Sequence, residues 1–316
     1  MGLQVGTSFS PRRCRRFGIR VESTFTGVLE MGFALVRLSA YWDEIRTDGW
    51  SDLDRILDMA RTAGPAIVLT VGMKAIQWPE FYLPPDVRPD PTRGGRIGRE
   101  PVFADQVVGF VRDVVARYRD RSEIAAWQVE NEPFNRSGPQ SWFVDQALVS
   151  REIEAVRALD ARPIVLNAFN HFDRSADAGS RPRRGLANLG RLIPEKAILN
   201  LLRPGDILGL DVYNAIGARR AAPDWADTAG RWLRAAQRQG KEAWIIEAQA
   251  EPWESSQETW ANPLSFKPED IGAVFDPLVR AGYSTLLLWG CEYWFWRAGE
   301  GDRRWLEAAR KVLRAT

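Results

Sequence analysis

The stretch IAAWQVENEP, Ile124–Pro133, decides how the chain is read. Its first part, Ile124–Glu130, is short and nearly continuous in apolar character, as a strand buried on both faces of a parallel sheet should be. Its second part, Asn131-Glu132-Pro133, puts polar groups at the strand's end. Seven further runs of the same kind are Leu3–Phe9, Phe33–Ser39, Ala66–Gly72, Pro163–Ala168, Asp206–Tyr213, Ala243–Glu247 and Ser284–Gly290.

Helical patterns sit between these runs. Ser51–Ala63 opens with a Ser-x-x-Asp cap-like start and closes at Gly64-Pro65. Val102–Tyr118 lines up Phe103, Val107, Phe110, Val111, Val114 and Val115 on one face. Trp142–Leu159, Asp224–Gln239 and Arg303–Arg314 read likewise, as does Lys267–Ala281, with Pro268 near its first helical position. Eight strands alternating with helices over 316 residues predict an α/β fold, a (β/α)8 TIM barrel. A doubly wound open sheet competes, but it wants a Gly-rich phosphate turn after an early strand, and none occurs. With no Ser- or Pro-rich linker, residues 1–316 read as one catalytic domain.

Composition narrows the chemistry. One His cannot build a His-rich metal site, and two Cys cannot supply a zinc knuckle or an iron–sulfur cluster. The expectation is therefore no metal and no cofactor. Lys and Arg (43) nearly balance Asp and Glu (41), the wrong footprint for a nucleic-acid partner. No run of about 18 apolar residues marks a membrane span. No basic-then-apolar leader is visible in Met1–Ser10, so a cytoplasmic location is expected. The unusual count is 14 Trp, a residue that offers flat faces to sugars and also fills cores.

The αβ connections are short, whereas the βα connections Met73–Pro101, Phe169 to about Arg184, and Ala248–Phe266 are long and aromatic. In such barrels the βα loops surround the active site. Two carboxylates end strands 4 and 7, which face each other across the mouth: Glu132 and Glu247. A facing pair is the minimum equipment for glycoside hydrolysis, one acid protonating the leaving oxygen and the other attacking from the opposite face. Arg37 is placed to reach the strand 7 carboxylate, and Tyr213 to donate a hydrogen bond to it. Glu130, two residues before Glu132, points the same way by strand alternation. Glu132 is preferred because it stands at the strand tip.

Asn131-Glu132-Pro133 after strand 4, Glu247 after strand 7 and Trp289 after strand 8 together resemble clan A of the glycoside hydrolases. Within it the chain is similar to family 5, cellulase-like retaining β-glycosidases, over essentially its whole length. That resemblance implies Glu132 as acid/base, Glu247 as nucleophile and Asn131 as a contact to the sugar 2-hydroxyl. It implies Arg37 and Tyr213 around the nucleophile, and Trp289 as a floor for the sugar ring. The chain departs from family 5 where His is usual. Asp211 stands two residues before Tyr213, Met73-Lys74-Ala75 follows strand 3, and the single His, His171, follows strand 5.

Lys74, Trp78 and His171 are further candidates to touch a sugar, the first and last through hydrogen bonds and Trp78 through stacking. Glu251 and Glu292 either flank the nucleophile and bind hydroxyls or form ion pairs. Cys14 and Cys291 follow neighbouring strands and can be two separate thiols or a bridge. The reading is a retaining β-glycoside hydrolase for a β-glucoside, β-mannoside or short soluble β-glycan. Its rivals are an inactive or weakly active carbohydrate-binding barrel, and a transglycosylase using the same Glu pair.

Overall fold

A computed structural model describes residues 2–169, 194–254 and 259–314. Eight parallel strands close into a barrel in sequence order. They are β1 (Gln4–Ser8), β2 (Leu35–Ser39), β3 (Ala66–Val71), β4 (Ile124–Val129), β5 (Ile164–Phe169), β6 (Ile207–Val212), β7 (Glu242–Gln249) and β8 (Thr285–Trp289). Each of the eight apolar runs is one of these strands, with ends shifted by one or two residues. The ring closes where β1 pairs β8, Gln4 opposite Thr285.

The helices flanking the ring are α1 (Pro11–Phe17), α2 (Val21–Glu30), α3 (Trp42–Asp48), α4 (Ser51–Ala63), α5 (Pro101–Tyr118) and α6 (Gln146–Arg157). They continue with α7 (Pro194–Leu201), α8 (Trp225–Gln237), α9 (Asp270–Arg280), α10 (Cys291–Gly299) and α11 (Arg304–Arg314). No helix among the described residues is long and apolar enough to cross a membrane.

Two details of the helical reading need correction. Ser51 is the first residue of α4 and caps nothing; Trp50 holds the cap position without a side-chain bond. Pro268 precedes α9 instead of opening it, since the cap is Glu269. Elsewhere the local chemistry is regular. Ser10 caps α1, Pro11 is its first residue, and Gly18 ends it in the left-handed region.

Strand alternation sorts the barrel into two cores. Val36, Leu38, Ile67, Leu69, Trp127 and Val129 point outward and pack with the helices. Leu35, Val68, Ala126, Val165, Ile207, Ile246 and Leu287, one from each of β2 to β8, form a separate apolar plug inside the ring. β1 contributes Gly6 at this level, where a Cβ would come within 2.7 Å of the Leu35 carbonyl oxygen and 2.9 Å of the Leu287 side chain. The barrel is thus filled at this level, and whatever chemistry it carries lies above the plug.

Small separate sheets order the loops that follow β3, β4 and β6. Arg96–Ile97 pairs with Phe143–Val144, and Ala215–Ile216 forms a hairpin with Arg219–Arg220. Cys14 and Cys291 are separate buried thiols.

Candidate active site

Two positions above the apolar plug the inward residues turn polar: Arg37 above Leu35, Gln128 above Ala126, and Asn167 above Val165. On β6, Asp211 stands two positions above Gly209. All four side chains are fully buried. Such a layer is stable only if its donors and acceptors are matched.

Arg37 does most of the matching. Its Nε donates to Gln128 Oε1 at 2.7 Å, its Nη1 to Glu247 Oε1 at 2.6 Å, and its Nη2 to Asn131 Oδ1 at 2.6 Å. Asn167 Nδ2 donates to Asn131 Oδ1 (3.0 Å) and to Asp211 Oδ2 (2.7 Å), while Asn167 Oδ1 accepts from Gln128 Nε2 (2.9 Å) and the Glu132 N–H (2.8 Å).

Glu247 reaches this layer through an irregularity. The pairing of β7 with β6 slips between Ile245 and Glu247. Ile246 belongs to the inner plug, and strict alternation would then turn Glu247 outward. The bulge inserts the extra residue that turns Glu247 inward as well. There its second oxygen, Oε2, accepts a 2.6 Å hydrogen bond from the Tyr213 hydroxyl. Burial drives the Tyr213 phenol well above its ordinary range, and the Glu247 charge pushes the same way, so the hydroxyl keeps its proton.

Glu132 reaches the site through backbone strain. Glu130 and Glu132 both have left-handed φ, 59° and 45°. A residue without glycine's freedom holds such a conformation only when its surroundings impose it. Here both flanking polar groups are pinned. The Glu132 N–H goes to Asn167, and its carbonyl oxygen accepts from Lys74 Nζ at 2.7 Å. The Glu130 carboxylate turns aside to accept from the Met73 and Lys74 N–H groups at 3.1 and 2.5 Å. It therefore braces the tip of β3, and the alternation argument that put it beside Glu132 fails at the strained turn.

Gly72 makes room for that brace. Its φ is +115°, and a Cβ would lie 2.6 Å from the Glu130 carboxyl carbon.

The result is a knot of acids. One carboxylate oxygen from each of Glu132, Asp211 and Glu247 lies within 4.8 Å of the other two. Burial raises the Glu132 carboxyl to about 7. Lys74 opposes that rise and the Glu80 and Glu247 charges reinforce it. Lys74 is fully buried, with Nζ 3.0 Å from Glu80 Oε2 and 3.9 Å from Glu132 Oε2. A carboxyl that still holds a proton near neutrality thus faces a carboxylate with donors on both oxygens. Such a pair can give a proton on one side and an electron pair on the other.

The remaining candidates fall into four groups. Trp289 lines the mouth with Tyr41, Tyr82 and Tyr213, and its Nε1 donates to Glu251 Oε1 at 2.9 Å. Glu251 and Glu292 take the ion-pair alternative with Arg13, at 2.5 and 3.9 Å, and Glu292 also accepts the Ser10 N–H at 2.5 Å. Glu292 is 1% exposed, so its carboxylate is engaged by the rim of β1 and α1. Trp78 is 57% exposed at the edge of the long loop after β3. His171 lies outside the described residues.

Sequence reasoning gave no role to Gln128, Asn167, Glu80 and Arg13, and marked Asp211 only as a departure from the family 5 pattern. For Gln128, Asn167 and Asp211 the signal was present, since a polar residue near the end of an otherwise apolar buried strand needs a partner. Nothing local marks Glu80 or Arg13, whose partners are distant in sequence or on a loop.

No family model matches the sequence, and no curated protein sequence matches it. Solved structures do. An exo-β-1,4-mannosidase from Opitutaceae bacterium strain TAV5 superposes with a TM-score of 0.60 at 15% identity, over 92% of this chain and 52% of that one. A cold-adapted β-galactosidase from Rahnella sp. R3 gives 0.64 at 13%, over 99% and 56%. The GH5_18 protein of Streptomyces cattleya bound to GlcNAc gives 0.60 at 14%, over 92% and 70%. The chain spans about half the length of the first two structures, and at these identities the likeness is one of fold.

Proposed function

We propose that the protein is a retaining β-glycosidase of the clan A type. The observation that carries this reading is the approach of Glu132 and Glu247 to within 4.8 Å, oxygen to oxygen, at the barrel mouth. Retaining enzymes hold their two carboxyl groups about 5–5.5 Å apart, whereas inverting ones leave about 6.5–9.5 Å for a water. The unequal surroundings of the two groups support the same division of labour. Glu132 keeps a proton near neutrality, and Glu247 is held by Arg37 and Tyr213.

In the first step a Glu247 oxygen attacks the anomeric carbon. The bond to the leaving group breaks, and the Glu132 proton passes to the departing oxygen. In the second, Glu132 takes a proton from water, whose oxygen displaces Glu247 from the sugar. Asn131 Oδ1 is occupied by Arg37 and Asn167, so its amide NH2 is the group free to meet a sugar hydroxyl. The substrate class is a β-glucoside, β-mannoside or short soluble β-glycan. The named structural neighbours add β-galactosides to the set to be screened.

The test replaces Glu247 by Ala and supplies azide with an activated aryl β-glycoside. The expected result is loss of hydrolysis and formation of an α-glycosyl azide. A Glu247→Ala protein that hydrolyses at the wild-type rate overturns the reading. Sugar binding without turnover by the wild type would favour a carbohydrate-binding barrel instead.

A further inference from the structure

Asp211 occupies the centre of the site, yet the double displacement uses only Glu132 and Glu247. Its Oδ2 accepts from Asn167, whereas its Oδ1 is buried and meets no donor. That oxygen belongs to a side chain packed within 4.8 Å of two other carboxylates. Beside the Glu247 carboxylate, which only accepts, an ionised Asp211 would add a second repelling anion, and a buried acceptor without a donor is costly.

The charged and hydroxyl donors around the site are already committed, and Asn135 Nδ2 donates to Glu132 Oε2 at 3.0 Å. Arg37 on β2 spends its nitrogens on Gln128, Glu247 and Asn131. The Tyr213 hydroxyl on β6 goes to Glu247 on β7. Lys74, after β3, is held by Glu80 and by the Glu132 carbonyl oxygen. A proton on Asp211 itself removes both penalties at once. Burial pushes the Asp211 carboxyl well above the usual range; the Glu247 and Glu132 charges act with it, and Arg37 acts against it.

We propose that Asp211 stays un-ionised and donates its Oδ1–H to Glu132, a positioning residue that stabilises the anion Glu132 becomes after protonating the leaving group. This rests on the acid/base role given to Glu132 above. Before the first step both carboxyls carry a proton. The Glu132 proton moves to the glycosidic oxygen, while the Asp211 proton remains on Oδ1 and bonds to the new carboxylate. When Glu132 recovers a proton from water, the pair returns to its starting state with no net change at Asp211. A third buried acid thereby makes Glu132 a stronger acid than its burial alone would allow.

The test compares Asp211→Asn and Asp211→Ala with wild type in the pH dependence of kcat/KM for an aryl β-glycoside with a poor leaving group. Asn keeps a donor, so its basic limb should stay within a few tenths of a pH unit of wild type. Ala loses the donor, so its limb should rise by about one unit. If Asp211 were an anion, both variants would lose a negative neighbour and both limbs would move down, overturning the proposal. Hydrolysis abolished by a chelator and restored by Ca²⁺ or Mn²⁺ would overturn it too, since the acids would then bind a cation.

A second measurement does not depend on turnover. In wild-type protein labelled with 13Cγ-aspartate, one carboxyl resonance should keep the protonated shift at pH 7 and be absent from Asp211→Asn. An all-ionised aspartate spectrum contradicts the proposal whether or not the variants fold. A wild type that hydrolyses no glycoside but shows the protonated resonance would refute the functional reading alone.

Discussion

Arg37 Nη1 lies 2.6 Å from Glu247 Oε1, with the two side chains only 0% and 5% exposed. Removing one member of such a pair strands the other in a low-dielectric interior. Arg37→Met would also leave Gln128 Oε1 without its guanidinium donor. The expected cost is about 3–5 kcal/mol. Urea unfolding of Arg37→Met against wild type checks it, and a loss under about 1 kcal/mol would show that Glu247 does not depend on this pairing.

The pH profile follows from Glu132. With its carboxyl raised to about 7 by burial, its proton is lost as pH climbs through that value. The rate on poor leaving groups should therefore fall above about pH 7. Glu80 is one of the charges raising Glu132, and it also holds Lys74. Glu80→Gln removes that charge, so the basic limb should move down. An upward shift would mean that Glu80 acts on the site in some other way.

Glu152 offers a test of stability. It sits on α6, fully buried beside Glu130, and burial together with the Glu130 charge holds its carboxyl well above 4.5. The folded chain therefore keeps a proton that the unfolded chain releases. Stability is fully present below the ordinary glutamate range and declines as pH rises toward the folded value. Glu152→Gln keeps a donor for Glu130 without the ionisation. It should match wild type near pH 4 and melt higher at pH 8, by a rise on the order of 2 °C. Equal melting temperatures at pH 8 would contradict the paired-acid account.

Gly290 makes a steric prediction. It has φ +117°, and a Cβ there would lie 2.6 Å from the Glu251 Cβ. Gly290→Ala should destabilise by about 2 kcal/mol or more, combining strain with the displacement of Glu251 from Trp289 and Arg13. Thermal unfolding measures the loss, and an unchanged melting temperature would mean that this strand end yields freely.

Trp78 separates packing from binding. At 57% exposed it contributes little to the core, so Trp78→Ala should leave stability within about 0.5 kcal/mol. If its face stacks on a sugar, KM for a longer β-glycan should rise several-fold while that for a monosaccharide glycoside stays put. A rise on both substrates would place its effect elsewhere.

The barrel was legible because every strand is a short apolar run, and because runs of this kind are hard to confuse with amphipathic helices such as α4 or α5. The short helices were not. α1 spans only Pro11–Phe17 and α3 only Trp42–Asp48, so each offers about two turns for a periodicity to show. The ends of α1 became clear only in the structure, where Ser10 caps it, Pro11 opens it and Gly18 ends it. Within the site, Arg37, Glu247 and Tyr213 were placed together by counting strand tips. The bulge at Ile246 and the strained turn at Glu130–Glu132 break simple alternation, and both depend on partners far away in sequence. Asp211 was visible as a departure from a family pattern, but its packing against Glu132 and Glu247 comes only from closing the ring.

The proposed double displacement attaches the sugar to Glu247. A 2-deoxy-2-fluoro β-glycoside with an activated leaving group would slow the second step of the proposed double displacement, so its covalent intermediate should accumulate. Mass spectrometry of the digested protein should find the fluoroglycosyl group on the peptide that contains Glu247, and on its carboxylate. A label on Asp211 or Glu132 instead, or turnover of a β-glycoside that gives the α-anomer first with no adduct, would contradict it.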